Sequence, residues 1–373
     1  MKKSQYLLIS AVFVAVFFYG LSVGAYNIFP YELLDSSNDA LFGQKTIENN
    51  QFVNQADMDS LIKIDNKSDI DQKRNFLTEF FWNVGSLQSL KDKLQLPEVE
   101  SDISDSRYNN FQNLSQIDRL TVEMEYGINS VSYLFIPEQS NEKLILYHQG
   151  HGGDFILGKN TIQFFLDRNF TVLASTMPLV GMNNQPVVEI DGLGKMKLIS
   201  HDQLSLLETN NFNPMRLFLD PIQINLNFLD KEYDFKQYSM IGISGGGWTA
   251  VVYSAIDERI SDSFSVAGSM PFYLRVNDRD IGDYEQTNID LYEVTNYLEL
   301  YVLSAYGEKK HIQIFNKNDP CCFSGNGYET YEFVIKDKIS QLGKGNFQIF
   351  IDDTHNEHKI SDTVLEHIAK NIS

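Results

Sequence analysis

Cysteine is nearly absent from this sequence of 373 residues, which contains two cysteines at adjacent positions, Cys321 and Cys322. Two thiols exclude a framework of several disulfides and a zinc site with four cysteine ligands. Because neighbouring cysteines rarely bond each other, we expect both to be small apolar residues beside the end of a strand. Only His355 and His358 have a spacing that suits a metal ion, and no further ligand supports them. We therefore predict no metal site and no cofactor.

Basic residues are also scarce, with 30 lysines and arginines against 50 aspartates and glutamates, for a formal charge of −20. A surface of this sign repels phosphates, which excludes nucleic acid as a partner. The acidic residues are spread along the chain, and no internal repeat is visible. Apolar residues make up 43% and aromatic residues 13% of the chain, which excludes a disordered protein.

The N-terminus has no charged residue from residue 6 to residue 29 and is largely apolar there, a short distance after Lys2 and Lys3. Lysines before an apolar segment are typical of an export signal whose positive end stays in the cytoplasm. Roughly 20 apolar residues can span a bilayer, which favours residues 1–30 as an uncleaved membrane anchor helix. The small residues 23–25 (VGA) leave signal cleavage and secretion as the alternative. Either way, the remaining chain is expected outside the cytoplasm, on the periplasmic or extracellular side.

The rest of the chain divides at about residue 117. Residues 31–116 are polar and are expected to form a spacer and an N-terminal cap, with one amphipathic helix at 75–90. From 117 to 373, strand-like and helix-like patterns alternate. Strands are predicted at 118–124, 131–136, 143–148, 170–175, 238–241, 262–266, 311–315 and 347–351, and helices at 161–167, 217–229, 248–255 and 361–372. Apolar strands alternating with helices predict an α/β domain with a mainly parallel central sheet and an antiparallel edge hairpin.

The most informative stretch is residues 242–246 (GISGG), where a serine stands between glycines at the junction of a predicted strand and helix. Such a turn holds a serine hydroxyl clear of the surface and strains the serine backbone. Gly242 and Gly246 remove the side chains that would clash there. No Lys-Ser or Lys-Thr pair follows the glycines, which argues against a phosphate-binding loop. We interpret Ser244 as a nucleophile, with a tight turn that has no chemistry as the alternative.

A serine nucleophile needs a histidine base. His358 follows the last predicted strand and lies three residues before Ser361, a predicted helix N-cap, so it is the favoured base. His355 is the alternative base. The other interpretations of these two histidines are that they lie on a surface loop or form half of a metal site. His201 lies in a middle segment, and no partner for it is visible.

The base needs an acid to orient it, and the reaction needs donors for an oxyanion. Asp319 follows the strand at 311–315 and is the favoured acid, with Asp352 and Asp353 as alternatives. The backbone N–H of Gly245 is one expected oxyanion donor. The second is the N–H of His151, in the small-residue loop 148–154 (HQGHGGD), for which a flexible turn is the alternative.

The motifs at 242–246 and 148–153, with the order Ser244, Asp319, His358, resemble the α/β-hydrolase superfamily over roughly 117–373. The short N-terminal hairpin without a large lid insertion is most similar to the dienelactone-hydrolase and acetyl-esterase branch. The resemblance implies an α/β-hydrolase fold and a serine hydrolase that cleaves small-molecule carboxylic esters through an acyl-enzyme. Residues 177–219 and 269–300 are expected to wall the pocket. A serine peptidase, or a non-catalytic envelope-anchored binding or scaffold protein, are the alternative functions.

Overall fold

The computed structural model describes residues 57–91, 95–275 and 281–372, together with residues 16, 17 and 19. Residues 55–373 belong to one compact unit. Among the described residues, no helix is both long enough and apolar enough to cross a bilayer. Nearly all of the predicted anchor at 1–30 lies outside the described residues, so the anchor stays a prediction.

Eleven strands lie within the described residues: β1 (Glu98–Glu100), β2 (Leu114–Glu123), β3 (Asn129–Pro137), β4 (Lys143–His148), β5 (Thr171–Ser175), β6 (Val187–Ile190), β7 (Gly194–Lys197), β8 (Gln237–Ile243), β9 (Ile260–Val266), β10 (Lys310–Asn316) and β11 (Asn346–Asp352). Nine form one sheet in the order β1-β2-β3-β5-β4-β8-β9-β10-β11, and β6 pairs with β7 in a separate hairpin. The pairs from β1 to β5 are antiparallel, and all pairs from β5 to β11 are parallel. The predicted mainly parallel sheet with an antiparallel edge is confirmed.

The described helices are α1 (Met58–Leu61), α2 (Lys67–Trp82), α3 (Leu87–Lys91), α4 (Lys159–Leu166), α5 (Asp220–Glu232), α6 (Gly245–Ile256), α7 (Tyr284–Thr287), α8 (Ile289–Val294), α9 (Tyr297–Ala305), α10 (Glu332–Leu342) and α11 (Asp362–Asn371). The central strands are covered on both faces, so residues 144–148 of β4 and 239–243 of β8 are all buried. Full burial of both faces explains why these strands read as continuous apolar runs.

The helix expected at 75–90 differs from the one observed, because α2 begins at Lys67 and ends at Trp82. Its start is set by a capping box in which Asn66 accepts from the Asp69 N–H and Asp69 accepts from the Asn66 N–H. Its end is set by Asn83, which adopts a left-handed conformation with φ 54°. The compact unit therefore includes α2, β1 and the start of β2, all of which precede residue 117.

The parallel strands β4, β8, β9, β10 and β11 end at the same edge of the sheet. The loops that follow β4, β8, β10 and β11 carry, in turn, the four segments in which site residues are predicted. In open α/β sheets, binding sites form at this carboxyl edge. The sheet topology therefore brings together residues that are more than 200 positions apart in the sequence.

Candidate active site

Ser244 lies on the sharp turn between β8 and α6, with φ 56° and ψ −129°. A serine rarely adopts this conformation, which costs about 1–3 kcal/mol and persists only where neighbouring contacts fix it. Here the Ser244 N–H donates to the carbonyl of Val266 at 2.9 Å, and its carbonyl accepts from the N–H groups of Gly247 and Trp248. The side chain of Ser244 is partly exposed. The turn thus presents the hydroxyl at the carboxyl edge of the sheet.

Glycine is required on both sides of this serine by close backbone approach. A Cβ atom on Gly242 would lie 1.9 Å from the carbonyl oxygen of Gly246. A Cβ atom on Gly246 would lie 2.1 Å from the carbonyl oxygen of His148. Both distances are far inside van der Waals contact, so the turn cannot form with larger residues at these positions.

Asp319 and His358 are joined by a hydrogen bond of 2.7 Å between Oδ2 and Nδ1. The second carboxylate oxygen of Asp319 accepts from the backbone N–H groups of Cys321 at 2.8 Å and Cys322 at 3.2 Å. Burial raises the pKa of Asp319, but the hydrogen bonds from His358 and the two backbone amides outweigh it and leave the pKa below its usual value. Asp319 is therefore a carboxylate that holds the Nδ1 side of the His358 ring.

The other ring nitrogen of His358, Nε2, is buried and has no hydrogen-bond partner among the described residues. No hydrogen bond joins it to Ser244 in this structure. An unpartnered buried nitrogen is costly unless another group meets it. His358 is thus held on one side and available on the other.

The cysteines beside Asp319 differ from the expectation. The structure joins Cys321 and Cys322 in a disulfide, and Cys321 is exposed, so the prediction of two unbonded apolar filler residues was wrong. The pair lies on the turn that follows β10 and caps the Asp319 carboxylate with its amides, rather than packing against the strand. The position after Asp319 and Pro320, in a turn, accounts for the exposure.

The alternative residues form a separate pair. His355 Nε2 lies 3.1 Å from Oδ2 of Asp352, and the Asp352 carboxylate also accepts from Thr354 Oγ1 at 2.6 Å and from Ser361 Oγ. Asp352 is thereby engaged with the loop that leads into α11. Asp353 is exposed. The structure therefore places Asp319 with His358, and Asp352 with His355.

The loop after β4 packs directly against the serine turn. A Cβ atom on Gly150 would lie 2.5 Å from Cβ of Ser244, and one on Gly245 would lie 2.4 Å from Cε1 of His151. The backbone N–H groups of Gly245 and His151 have no acceptor in the part of the chain that the structure describes. The loop that carries His151 thus lies against Ser244 and Gly245, and the donor roles of the two amides stay predictions. His148, by contrast, is fully buried, bonds the Gln149 carbonyl, and has its pKa lowered to about 4 by burial.

A second cluster near Ser244 was missed by sequence reasoning. His151 Nε2 lies 3.1 Å from His201 Nδ1 and 2.8 Å from Glu285 Oε1, and His201 Nδ1 lies 3.0 Å from Glu285 Oε2. Glu285 is wholly buried, and His201 is 6% exposed. Burial raises the pKa of Glu285, but the charge of His201 and hydrogen bonds from both histidines outweigh it, so the pKa lies well below its usual range. Burial lowers the pKa of His201, but the charge of Glu285 and its hydrogen bond raise it by more, so the pKa lies above its usual value.

No sequence signal indicates this cluster. Its members come from the loop after β4, from the turn at His201–Leu207 and from the four-residue helix α7. The last two lie in segments that were expected only to wall the pocket. Without a motif at fixed spacing, only the folded chain shows that the three side chains meet.

Comparisons with known proteins identify the fold. No family model and no curated protein matches this sequence. Acetyl xylan esterase 1 from Thermoanaerobacterium sp. JW/SL YS485 superposes with a TM-score of 0.53 at 15% identity, covering 84% of this chain and 95% of that one. The acetyl xylan esterase from Paenibacillus sp. R4 gives 0.54 at 14% identity, covering 84% and 97%. The glucuronoyl esterase from Solibacter usitatus gives 0.51 at 10% identity, covering 74% and 85%. The chain has the α/β-hydrolase fold, as its motifs implied.

Proposed function

We propose that this α/β-hydrolase-fold protein is a serine hydrolase that cleaves small carboxylic esters. Ser244 is the nucleophile, His358 the base and Asp319 the acid that orients it. The observation that carries the proposal is the 2.7 Å hydrogen bond between Asp319 and His358, which leaves Nε2 of the ring buried and unpartnered. That pair lies at the same sheet edge as a serine held at φ 56°.

The tautomer of His358 follows from its partner. An ionised Asp319 accepts a hydrogen bond, so the proton of the neutral ring resides on Nδ1 and Nε2 carries a lone pair. A lone pair on Nε2 is what a base needs to accept the proton of a serine hydroxyl. Catalytic hydrogen bonds are often long before substrate binds, so the missing bond to Ser244 is expected to form in the complex.

The reaction then runs in two halves. Ser244 Oγ attacks the ester carbonyl carbon as His358 Nε2 takes its proton, and the amides of Gly245 and His151 donate to the resulting oxyanion. The bond to the alcohol breaks, and His358 gives its proton to the leaving oxygen. Water next loses a proton to His358 and attacks the acyl carbon, and the acid leaves as Ser244 regains its proton.

Acetyl esters are the first substrates to test, because two of the similar structures are named as acetyl xylan esterases. We propose to measure hydrolysis of 4-nitrophenyl acetate and of acetylated xylo-oligosaccharides by the wild type, Ser244→Ala and Ser340→Ala. Ser340 is an exposed serine on α10 and serves as the matched control. Hydrolysis that disappears only in Ser244→Ala supports the proposal. Hydrolysis that persists in Ser244→Ala, or a folded wild type inactive on every ester, contradicts it.

We further propose that residues 1–30 anchor the protein in a membrane with the hydrolase unit outside the cytoplasm. The support is the uncharged apolar run at 6–29 after Lys2 and Lys3. The full chain should stay in the membrane fraction after alkaline carbonate washing, whereas the chain from residue 31 should not. Release of an N-terminally shortened protein would favour signal cleavage, and a cytoplasmic full-length protein would contradict both forms of the proposal.

A further inference from the structure

Three side chains with metal-ligating atoms converge beside the serine turn. The ligating atoms are His151 Nε2, His201 Nδ1 and the carboxylate oxygens of Glu285, and their mutual contacts are 2.8, 3.0 and 3.1 Å. In a tetrahedral zinc site with bonds of 2.0–2.1 Å, ligand atoms are about 3.3 Å apart. An ion at the centre would thus require each ligand to move outward by only a few tenths of an ångström.

The orientation of His201 is fixed from outside the cluster. Its Nε2 lies 2.9 Å from the carbonyl oxygen of Pro178, which can only accept, so Nε2 is the protonated nitrogen. In the neutral ring, Nδ1 then carries the lone pair, which a cation on the side of Glu285 would accept. A backbone carbonyl that orients the ring through its second nitrogen is the arrangement found around metal-bound histidines.

With both histidines neutral, the facing atoms of the cluster include more acceptors than a single N–H can satisfy. His151 Nε2 faces His201 Nδ1, Glu285 Oε1 and also Asp283 Oδ2 at 3.1 Å, so one N–H at this nitrogen would have to serve three acceptors. The two carboxylates give a charge of −2 when both histidines are neutral. A single divalent cation would meet all of these lone pairs and cancel that charge.

We propose that His151, His201 and Glu285 form a binding site for a divalent transition-metal ion of the zinc type. Two imidazoles and one carboxylate are a ligand set that suits such ions, with Asp283 as a second carboxylate on the solvent side. This departs from the sequence-based prediction of no metal, which considered only His355 and His358. The site is independent of whether Ser244 is a nucleophile.

The ion would link three segments that meet beside the serine turn. The ring of His151 lies against Gly245, and its backbone N–H is one of the two proposed oxyanion donors. Glu285 belongs to α7 and His201 to the turn between β7 and α5. An ion bound to all three would fix the loop after β4 against these segments, so His201 and Glu285 are positioning residues rather than catalytic ones.

The test is Zn²⁺ binding by the full chain, purified in detergent without a histidine tag and without reductant. After chelator treatment and dialysis, Zn²⁺ is titrated in competition with a fluorescent chelator, and Co²⁺ is added separately to record its visible absorption. The wild type should bind one ion per chain. His201→Gln and Glu285→Gln should each weaken binding at least about 100-fold, because loss of even an outer-shell partner costs 10–100-fold.

Two controls separate this site from other groups. His367→Gln, on α11, should bind as the wild type does. A Cys321→Ser/Cys322→Ser variant should also bind normally, which excludes the neighbouring group of Cys321, Cys322 and His358. Circular dichroism and a cooperative melt establish folding. His151→Gln alters a more exposed side chain and replaces the buried variants if they do not fold.

Wild-type protein that binds Zn²⁺ no more tightly than folded Glu285→Gln would overturn the proposal. So would a loss of binding that follows the cysteine variant instead of the cluster variants. In either case the cluster is a network of charged hydrogen bonds between Glu285 and the histidines. Since no substrate enters the measurement, an inactive hydrolase would leave its outcome unchanged.

Discussion

Among the carboxylate–histidine arrangements near the carboxyl edge of the sheet, those of Asp319 and Glu285 differ in what their ring nitrogens contact. Asp319 holds one nitrogen of His358 and leaves the other buried without a partner. Glu285 instead contacts two histidines, whose facing nitrogens are 3.1 Å apart. A ring held on one side only is suited to proton transfer, whereas rings that converge on a shared carboxylate are suited to holding a cation. Proximity of histidine to carboxylate thus does not by itself assign a role.

Replacing the two histidines should separate these roles most strongly. His358→Gln should lower kcat for ester hydrolysis by about 10⁵-fold or more, because loss of the base removes the proton acceptor. His201→Gln should lower it far less, by no more than about 100-fold, since His201 acts only through the position of the loop. Steady-state kinetics on 4-nitrophenyl acetate measure both. His355→Gln is the matched control, and a larger loss in that variant would show that the base is wrongly assigned.

Replacing the acid that contacts His358 should likewise lower kcat far more than replacing an exposed aspartate nearby. Asp319→Asn should lower kcat by about 10⁴-fold, because an amide orients the wrong tautomer of His358. Asp353→Asn, a change at an exposed aspartate in the loop after β11, should leave kcat within about 2-fold. Steady-state kinetics on the same ester measure both variants. Equal losses in the two would contradict the assignment of Asp319.

Removing bound metal should lower the thermal stability of the protein only when the Glu285 cluster is intact. With Zn²⁺ at 1,000 times its dissociation constant, binding stabilises the native state by about 4 kcal/mol. A chelator should therefore lower the Tm of zinc-loaded wild type by several degrees and leave folded Glu285→Gln unchanged. Differential scanning calorimetry measures the shift. A chelator effect that is equally large in Glu285→Gln would place the ion elsewhere.

The smallest expected effect is that of acid on the free energy of unfolding, to which the Asp319 carboxylate contributes. The pKa of Asp319 is lower in the folded than in the unfolded chain, so below about pH 4 the unfolded state binds more protons and stability falls with pH. At pH 7 the ionised group should contribute roughly 1.5–3 kcal/mol, typical of hydrogen bonds to a charged group. In urea unfolding, the advantage of wild type over Asp319→Asn should be constant from pH 7 to 5 and shrink by pH 3. An advantage independent of pH would mean that Asp319 is not ionised.

The difference between the two arrangements also explains what could be predicted from sequence. Ser244, Asp319 and His358 each follow an apolar strand, and strand patterns are local signals, so their meeting at one sheet edge follows from a parallel sheet. The capped start of α2 at Asn66 was missed because its first turns are polar and lack the apolar spacing on which the prediction relied.

Other features depend on contacts that no local pattern encodes. His201 and Glu285 lie 84 residues apart, on a turn and on a four-residue helix, and neither segment has a recognisable period. The disulfide between Cys321 and Cys322 likewise contradicts the expectation that adjacent cysteines rarely bond each other. Pairings set by the packing of irregular segments require the folded structure.

The central claim is that Ser244 is activated by His358, and labelling with a fluorophosphonate probe followed by peptide mapping tests it most directly. We expect one label, on Ser244, that is lost in Ser244→Ala, strongly slowed in His358→Gln and retained in Ser340→Ala. A folded wild-type protein that is not labelled, or one labelled at another residue, would contradict the claim.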